Sequence, residues 1–295
     1  MPDLVHENGS VSLYDGDTEL FRYGYRSSVD VTESPRPCFH PVRTRAGHPV
    51  TDYRPDDHPW HVGISMTCAE LSGENFWGGP TWTRDRGYQR LENNGSQIHQ
   101  QWETLESTDS GGRLAEQLQW VTRAGDHWLN EARQITATIL GPDAWVLDLA
   151  SELTNLTDRT LEFGSPTTAG RENAGYGGWC WRGPERFTRG DIRFAGGGEG
   201  ETDAMGHAAP WIAITGPGTD GAAAATVIFI DHPDNPRYPT PWYARQKNFP
   251  AVSFAFSFHE IFPLEPGDTL ALRHRIIIAD GRWETKRIEE ASKTR

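Results

Sequence analysis

A chain of 295 residues with a formal net charge of −13 and a pI near 5.3 repels a phosphate backbone, so nucleic acid is not an expected partner. Its three cysteines, Cys38, Cys68 and Cys180, lie far apart with no CxxC pair, which argues against a disulfide framework or a zinc knuckle. No apolar run approaches the ~20 residues of a membrane helix, and residues 1–10 lack the basic and apolar segments of a secretory leader, so no membrane association and a cytoplasmic location are expected.

Apolar residues make up only 36 % of the chain, but twelve Trp, twelve Phe and eight Tyr offset the deficit. Each buried aromatic removes about 150–250 Å² from water, enough for a few of them to build a core. In chain order, alternation with period two predicts strands at 10–14, 19–25, 62–69, 97–104, 113–122, 128–140, 144–155, 211–215, 224–231, 252–258 and 268–279. Within 144–155, Trp145, Leu147, Leu149 and Leu153 share one face and Asp148 and Glu152 the other. Within 268–279, Leu270, Leu272, Ile276 and Ile278 oppose Arg273 and Arg275. The longest apolar run, 222–230, also reads as a strand. One charged helix, 283–293, is the fair helical candidate. Short strands with many turns predict an all-β fold of packed antiparallel sheets in one domain, 1–295, with few short helices. Three long loops rich in Gly or Pro, at 54–80, 164–184 and 231–250, concentrate His, Trp, Arg and Asn, as binding loops on a rigid β scaffold do.

The chemistry-bearing segments sit in those loops. In DDHPWHVG, His58 and His61 lie three residues apart, held by Pro59, with Asp57 placed to fix a tautomer. The pair suits acid–base work, hydroxyl binding or two positions of a metal site. A third protein ligand is not evident, so no metal or other cofactor is expected, with a divalent ion left as an option. In DHPDNPRYPTPW, four prolines stiffen a loop that would present His232, Asn235, Arg237 and Trp242; the plain alternative is a rigid surface loop with Arg237 in an ion pair. Arg245 follows shortly after. In RPCFHPV, His40 is a candidate for the same cleft or a satisfied core group. Trp77, Arg171, Tyr176 and Trp179 add rings and charge that suit a sugar's C–H face and hydroxyls, although a sheet tryptophan is often core. Glu260 is a candidate reserve base or an exposed strand-end carboxylate. Dinucleotide, P-loop, zincin and serine-hydrolase readings find no support.

Together RPCFHPVRTRAGHPVT, DHPWHVGI with NFWGG, and IDHPDNPRYPTPWYAR resemble the bacterial DUF6807 family, often labelled "methane oxygenase PmoA". That label conflicts with the sequence, because a membrane oxygenase subunit needs spanning helices and none can be drawn. The resemblance implies a large β-sandwich similar to the galactose-mutarotase supersandwich and a setting in sugar catabolism beside nicotinamide-dependent oxidoreductases. Two readings follow. The first is an enzyme of epimerase, mutarotase or β-elimination type on a sugar or keto-sugar, with His58, His61, His232 and Glu260 as acid–base candidates. In that reading Arg171 and Arg237 steady oxyanion charge, and His40, Asp57, Trp77, Tyr176, Trp179, Asn235, Trp242 and Arg245 bind substrate. The second is a non-catalytic carbohydrate-binding or scaffold partner of a sugar oxidoreductase. In both the partner is a small carbohydrate-derived ligand, and a homodimer is left open.

Overall fold

The period-two segments become the long strands Ala144–Asn155 and Thr269–Asp280, paired antiparallel with Leu147 opposite Ile276 and Leu149 opposite His274. The computed structural model describes residues 2–217 and 224–293. Two eight-stranded sheets hold most of the strand residues, and every strand pair in them is antiparallel. The first runs Asp3–Glu7, Ser10–Asp15, Thr18–Gly24, Cys38–Val42, Ile64–Cys68, Gly177–Arg182, Ala251–Phe254, Trp242–Arg245. The second runs Asp191–Phe194, Trp211–Pro217, Ala224–Asp231, Thr269–Asp280, Ala144–Asn155, His127–Ile139, Gly111–Val121, Ser96–Thr108. The fold is therefore an all-β sandwich, and its helical pieces are short, the longest described being Thr285–Ser292. No helix among the described residues is long and apolar enough to cross a membrane.

One face of each sheet makes the core. Phe21, Phe39, Trp179 and Trp181 from the first meet Trp145, Leu147, Phe229 and Ile276 from the second, all buried. Phe21 and Trp145 lie 5.9 Å apart and Trp181 and Phe229 5.6 Å, so the contact crosses the sheets directly. Into this apolar layer the sequence also places charge. Glu116, Glu131 and Arg133 alternate inward on their strands and are fully buried. Arg133 grips Glu131 with two hydrogen bonds of 2.8 Å and donates to the Tyr23 hydroxyl, which in turn donates to Glu116. Trp120 Nε1 donates to Glu131, His99 Nδ1 lies 2.6 Å from Glu116, and the Trp179 ring packs under the guanidinium at 4.8 Å. Burial alone would penalise each charge; here nearly every polar atom is answered.

The outer face of the second sheet is closed by the C-terminal helix. Trp283 and Ile288 pack on Val146, Trp211, Ile228 and Ile277. That helix is shorter at both ends than the sequence suggests, starting at Thr285. Five strands of the two large sheets fall where the alternation signal is weak: Asp3–Glu7, Cys38–Val42, Asp191–Phe194, Gly177–Arg182 and Trp242–Arg245. The last two lie inside the expected loops 164–184 and 231–250, which corrects those loop limits. A strand covered on both faces carries no polar alternation, and all six residues of Gly177–Arg182 are buried. Of the run 222–230, residues 222–223 lie outside the described residues, and the rest is the strand Ala224–Asp231. The spacing G-x-G-x-x-G does occur, at Gly216, Gly218 and Gly221. Gly216 is part of the strand Trp211–Pro217, which pairs antiparallel with Ala224–Asp231, whereas a dinucleotide fingerprint opens the helix of a parallel crossover; Gly218 and Gly221 lie outside the described residues.

Candidate functional site

Strand alternation that sends Trp179 and Trp181 into the core sends Cys180 and Arg182 to the other face of the first sheet. Its neighbours obey the same rule, presenting Ser65 and Thr67, Tyr243 and Arg245, and Ala251 on that face. These residues floor a cavity of about 450 Å³. Its walls come from the 57–63 segment, Trp77–Pro80, Tyr88, Arg171, Tyr176 and Phe249.

The two loops that carry Trp60 and Trp77 are locked together. Asn75 Oδ1 accepts from the backbone N–H groups of Trp77 and Gly78, turning the chain sharply. Gly79 has φ +67°, and a Cβ there would lie 2.5 Å from the Trp60 ring, so the NFWGG and DHPWH motifs interlock through a missing side chain. Arg36, buried beneath them, donates to Ser65 Oγ and to the carbonyls of Glu33, Ser34, Trp60 and Trp77. Burial lowers its pKa to about 10, and no carboxylate pairs with it among the described residues.

His58 and His61 stack with ring centroids 4.8 Å apart. Their charged neighbours are opposite in sign. His58 Nδ1 lies 2.9 Å from Asp57 Oδ2, without the alignment of a full hydrogen bond, and this close contact holds the Asp57 carboxyl below its ordinary value. His61 Nδ1 lies 3.3 Å from Arg182 Nη1, which can only donate, so His61 carries its proton on Nε2. Burial, with Arg182 and His58 beside it, pushes the His61 pKa well below 6.5, so this ring is neutral at pH 7. Phe249 packs against both imidazoles at 5.6 and 5.3 Å, and Trp77 stands edge-on to His61 at 5.5 Å.

Of the residues expected from sequence, the cavity gathers Asp57, His58, His61, Trp77, Arg171, Tyr176 and Arg245. The others lie elsewhere. Trp179 is wholly buried over Arg133, and Trp242 is wholly buried with Nε1 donating to the Ala209 carbonyl. His40 stacks on Tyr53 at 5.0 Å and pairs with Thr51 Oγ1, away from the cavity lining. Glu260 is an exposed carboxylate, 82 % accessible, 3.9 Å from Arg237. His232 lines a second hollow of about 870 Å³, with Arg273, Arg275 and the C-terminal helix, on the second sheet. The expected convergence of His232 with the 58–61 pair is thus corrected: the two belong to different sheets.

The reason is that DHPDNPRYPTPW is an architectural motif. Asp231 is buried and accepts from Asn235 Nδ2 and the Thr240 N–H, closing the loop. Asn235 also exchanges two hydrogen bonds with the Arg273 backbone. Arg237 donates to the carbonyls of Phe256, Glu260 and Ile261 and so is consumed in holding the next loop. The residues that sequence reasoning missed are Arg36, Arg182, Tyr243, Tyr88, Trp60 and Phe249. GGWCWR and WYAR, nearly all buried, offered no polar alternation that would have marked Arg182 or Tyr243. Among the described residues no group of three His, Cys, Asp or Glu side chains is poised to hold a metal ion.

Asp231 also faces His274, 3.6 Å away. Burial raises Asp231 from 3.8 to about 6 and lowers His274 from 6.5 to about 3, so at pH 7 the pair is a carboxylate and a neutral imidazole. On acidification the unfolded chain protonates His274 near 6.5 and the folded one only near 3, which costs stability across that window. Asp231 has the opposite sign, because its folded form takes a proton near 6 and its unfolded form near 3.8, returning stability there. Asp231→Asn removes that offset. Between pH 6.5 and 4 its urea-unfolding free energy should fall by about 2–3 kcal/mol more than that of the wild type. A constant difference between the two proteins over the range would contradict the assignment.

Fold and cavity together define an all-β sandwich protein with a basic, aromatic-walled pocket on the outer face of one sheet. The family model described as "Family of unknown function (DUF6807)" matches residues 10–293, and the chain belongs to this family. No curated protein matches it. Among solved structures it is similar to the galactosidase domain of the α-galactosidase–sucrose kinase AgaSK, at 9 % identity and a TM-score of 0.46, over 95 % of this chain and 42 % of that one. It is also similar to the α-galactosidase from Lactobacillus brevis, at 11 % identity and TM-score 0.37, over 95 % and 39 %. A third is the GH36 α-galactosidase AgaA from Geobacillus stearothermophilus in complex with raffinose, at 11 % identity and TM-score 0.41, over 95 % and 41 %. The chain spans about two fifths of the length of these structures.

Proposed function

We propose that this protein catalyses proton transfer on a sugar-derived small molecule, as in an epimerase, a mutarotase or a β-elimination lyase. The observation that carries the reading is the pair of stacked histidines, one set against a carboxylate and the other against a guanidinium. Asp57 orients His58 and steadies the imidazolium that forms when Nε2 takes a proton from substrate. His61, neutral and with its proton on Nε2, donates to the substrate oxygen on which charge develops. Arg171 in the cavity wall steadies that oxyanion, and the Trp77, Tyr176 and Phe249 rings supply flat apolar surface for a sugar's C–H face. Glu260 and His232 take no part, being outside the cavity.

Incubation in D₂O with a panel of sugars, 3-keto-sugars and sugar acids, followed by NMR, tests the proposal. Deuterium should enter one ring carbon of at least one class, and a His232→Ala variant should exchange as fast as the wild type. Exchange abolished in His232→Ala and intact in His58→Gln would overturn the assignment.

A further inference from the structure

The arginines of this cavity have a geometry that a neutral sugar does not account for. The chain holds 41 acidic against 28 basic residues, yet four arginines line the cavity and Asp57, already engaged by His58, is its one lining carboxylate. Arg182 and Arg245 stand in one cross-strand row. Ala251 pairs with Arg182 on one side and with Arg245 on the other, so the two arginines flank a methyl group on the same face of the sheet. With strands about 4.8 Å apart, their Cα atoms are separated by roughly 9.5 Å. Both guanidinium groups lean over the same Phe249 ring, at 4.4 and 5.8 Å from its centre.

Both keep unused donors, although Arg182 Nη1 is engaged with His61 Nδ1 at 3.3 Å. Arg182 is only 8 % exposed, and its Nε is buried without a hydrogen bond, as is the Nε of Arg245. The carboxylate nearest Arg182 is the partly exposed Asp52 at 3.8 Å, and Arg245 has no ion pair among the described residues. Arg36 beneath them donates to five neutral acceptors and adds charge without neutralisation. Two convergent, partly desolvated guanidinium groups with open donor edges match a planar or tetrahedral oxyanion. Sugar hydroxyls would satisfy the donors and leave the charge unanswered.

We propose that the Arg182–Ala251–Arg245 row binds the anionic group, carboxylate or phosphate, of a sugar-derived ligand. This rests on the proposed function for the location of the site and not for its chemistry. The anion anchors one end of the ligand at the sheet, and the ring then extends over the aromatic wall toward His58.

The test uses the intact protein with D-glucose, D-glucuronate and glucose 6-phosphate. At millimolar ligand the ¹⁵Nε–¹Hε signals of Arg182 and Arg245 should shift with a charged sugar and stay still with glucose. Calorimetry should show the tighter charged sugar weakened about 10–100-fold by Arg245→Gln, the loss of charge-assisted hydrogen bonds. Arg245 is partly exposed and its Nε makes no hydrogen bond, so this variant keeps the fold. Tighter glucuronate marks a sugar acid; tighter glucose 6-phosphate marks a sugar phosphate. Equal responses to glucose and the charged sugars, no response to any of them at tens of millimolar, or unchanged affinity in Arg245→Gln would overturn the proposal. His58→Gln should retain charged-sugar binding, so failure of the proton-transfer reading leaves this result separately readable.

Discussion

Arg133→Met should destabilise the protein by about 3–5 kcal/mol, read as a lowered urea midpoint with unchanged slope. The side chain is fully buried, and its loss strands two carboxylates in the space between the sheets. Glu131 loses both of its guanidinium bonds and keeps only Trp120 Nε1. Glu116 keeps the Tyr23 hydroxyl and His99. Methionine fills comparable volume, so the cost is electrostatic and not that of a cavity. The Arg133→Met/Glu131→Gln double variant removes one stranded charge and should recover part of the loss. Equal stability of Arg133→Met and the wild type would show that the network carries no net weight.

His58→Gln should slow proton exchange by about 10²–10⁴-fold, the usual worth of a positioned base, with ligand affinity nearly unchanged. Glutamine keeps the polarity beside Asp57 and has no nitrogen lone pair to take a proton. His61→Gln should cost on the order of 10²–10³-fold, because it removes a donor aimed at developing negative charge. Since His61 is neutral throughout the physiological range, its removal should leave the shape of the pH–rate profile above pH 6.5 unchanged. Losses of equal size in affinity and rate for His58→Gln would mark a binding contact and not a base.

The sheets were legible because most strands expose one face: Trp145, Leu147 and Leu149 alternate with Asp148 and Glu152, and that pattern admits one reading. Half of the site was legible too, since Asp57, His58 and His61 are close in the chain and rigidified by Pro59. What local pattern does not encode is pairing register. Arg182 and Arg245 become neighbours of Ala251 only through the order of strands in the first sheet. The two DHP motifs show the same limit from the other side. Asp57 is exposed and free to hold a histidine, whereas Asp231 is buried and closes a loop through Asn235 and Thr240. Identical tripeptides thus take different roles according to burial, which sequence spacing does not report. Trp179 and Trp242 were ambiguous for a related reason, because a strand covered on both faces gives a tryptophan no polar neighbour to define its side.

Crystals soaked with D-glucuronate and, in parallel, glucose 6-phosphate place the ligand directly. The account predicts density in the 450 Å³ cavity, with the anionic group on Arg182 and Arg245 and a ring carbon or hydroxyl within reach of His58 Nε2. Ligand ordered instead in the hollow beside His232, with the 57–61 cavity holding only water, would contradict it.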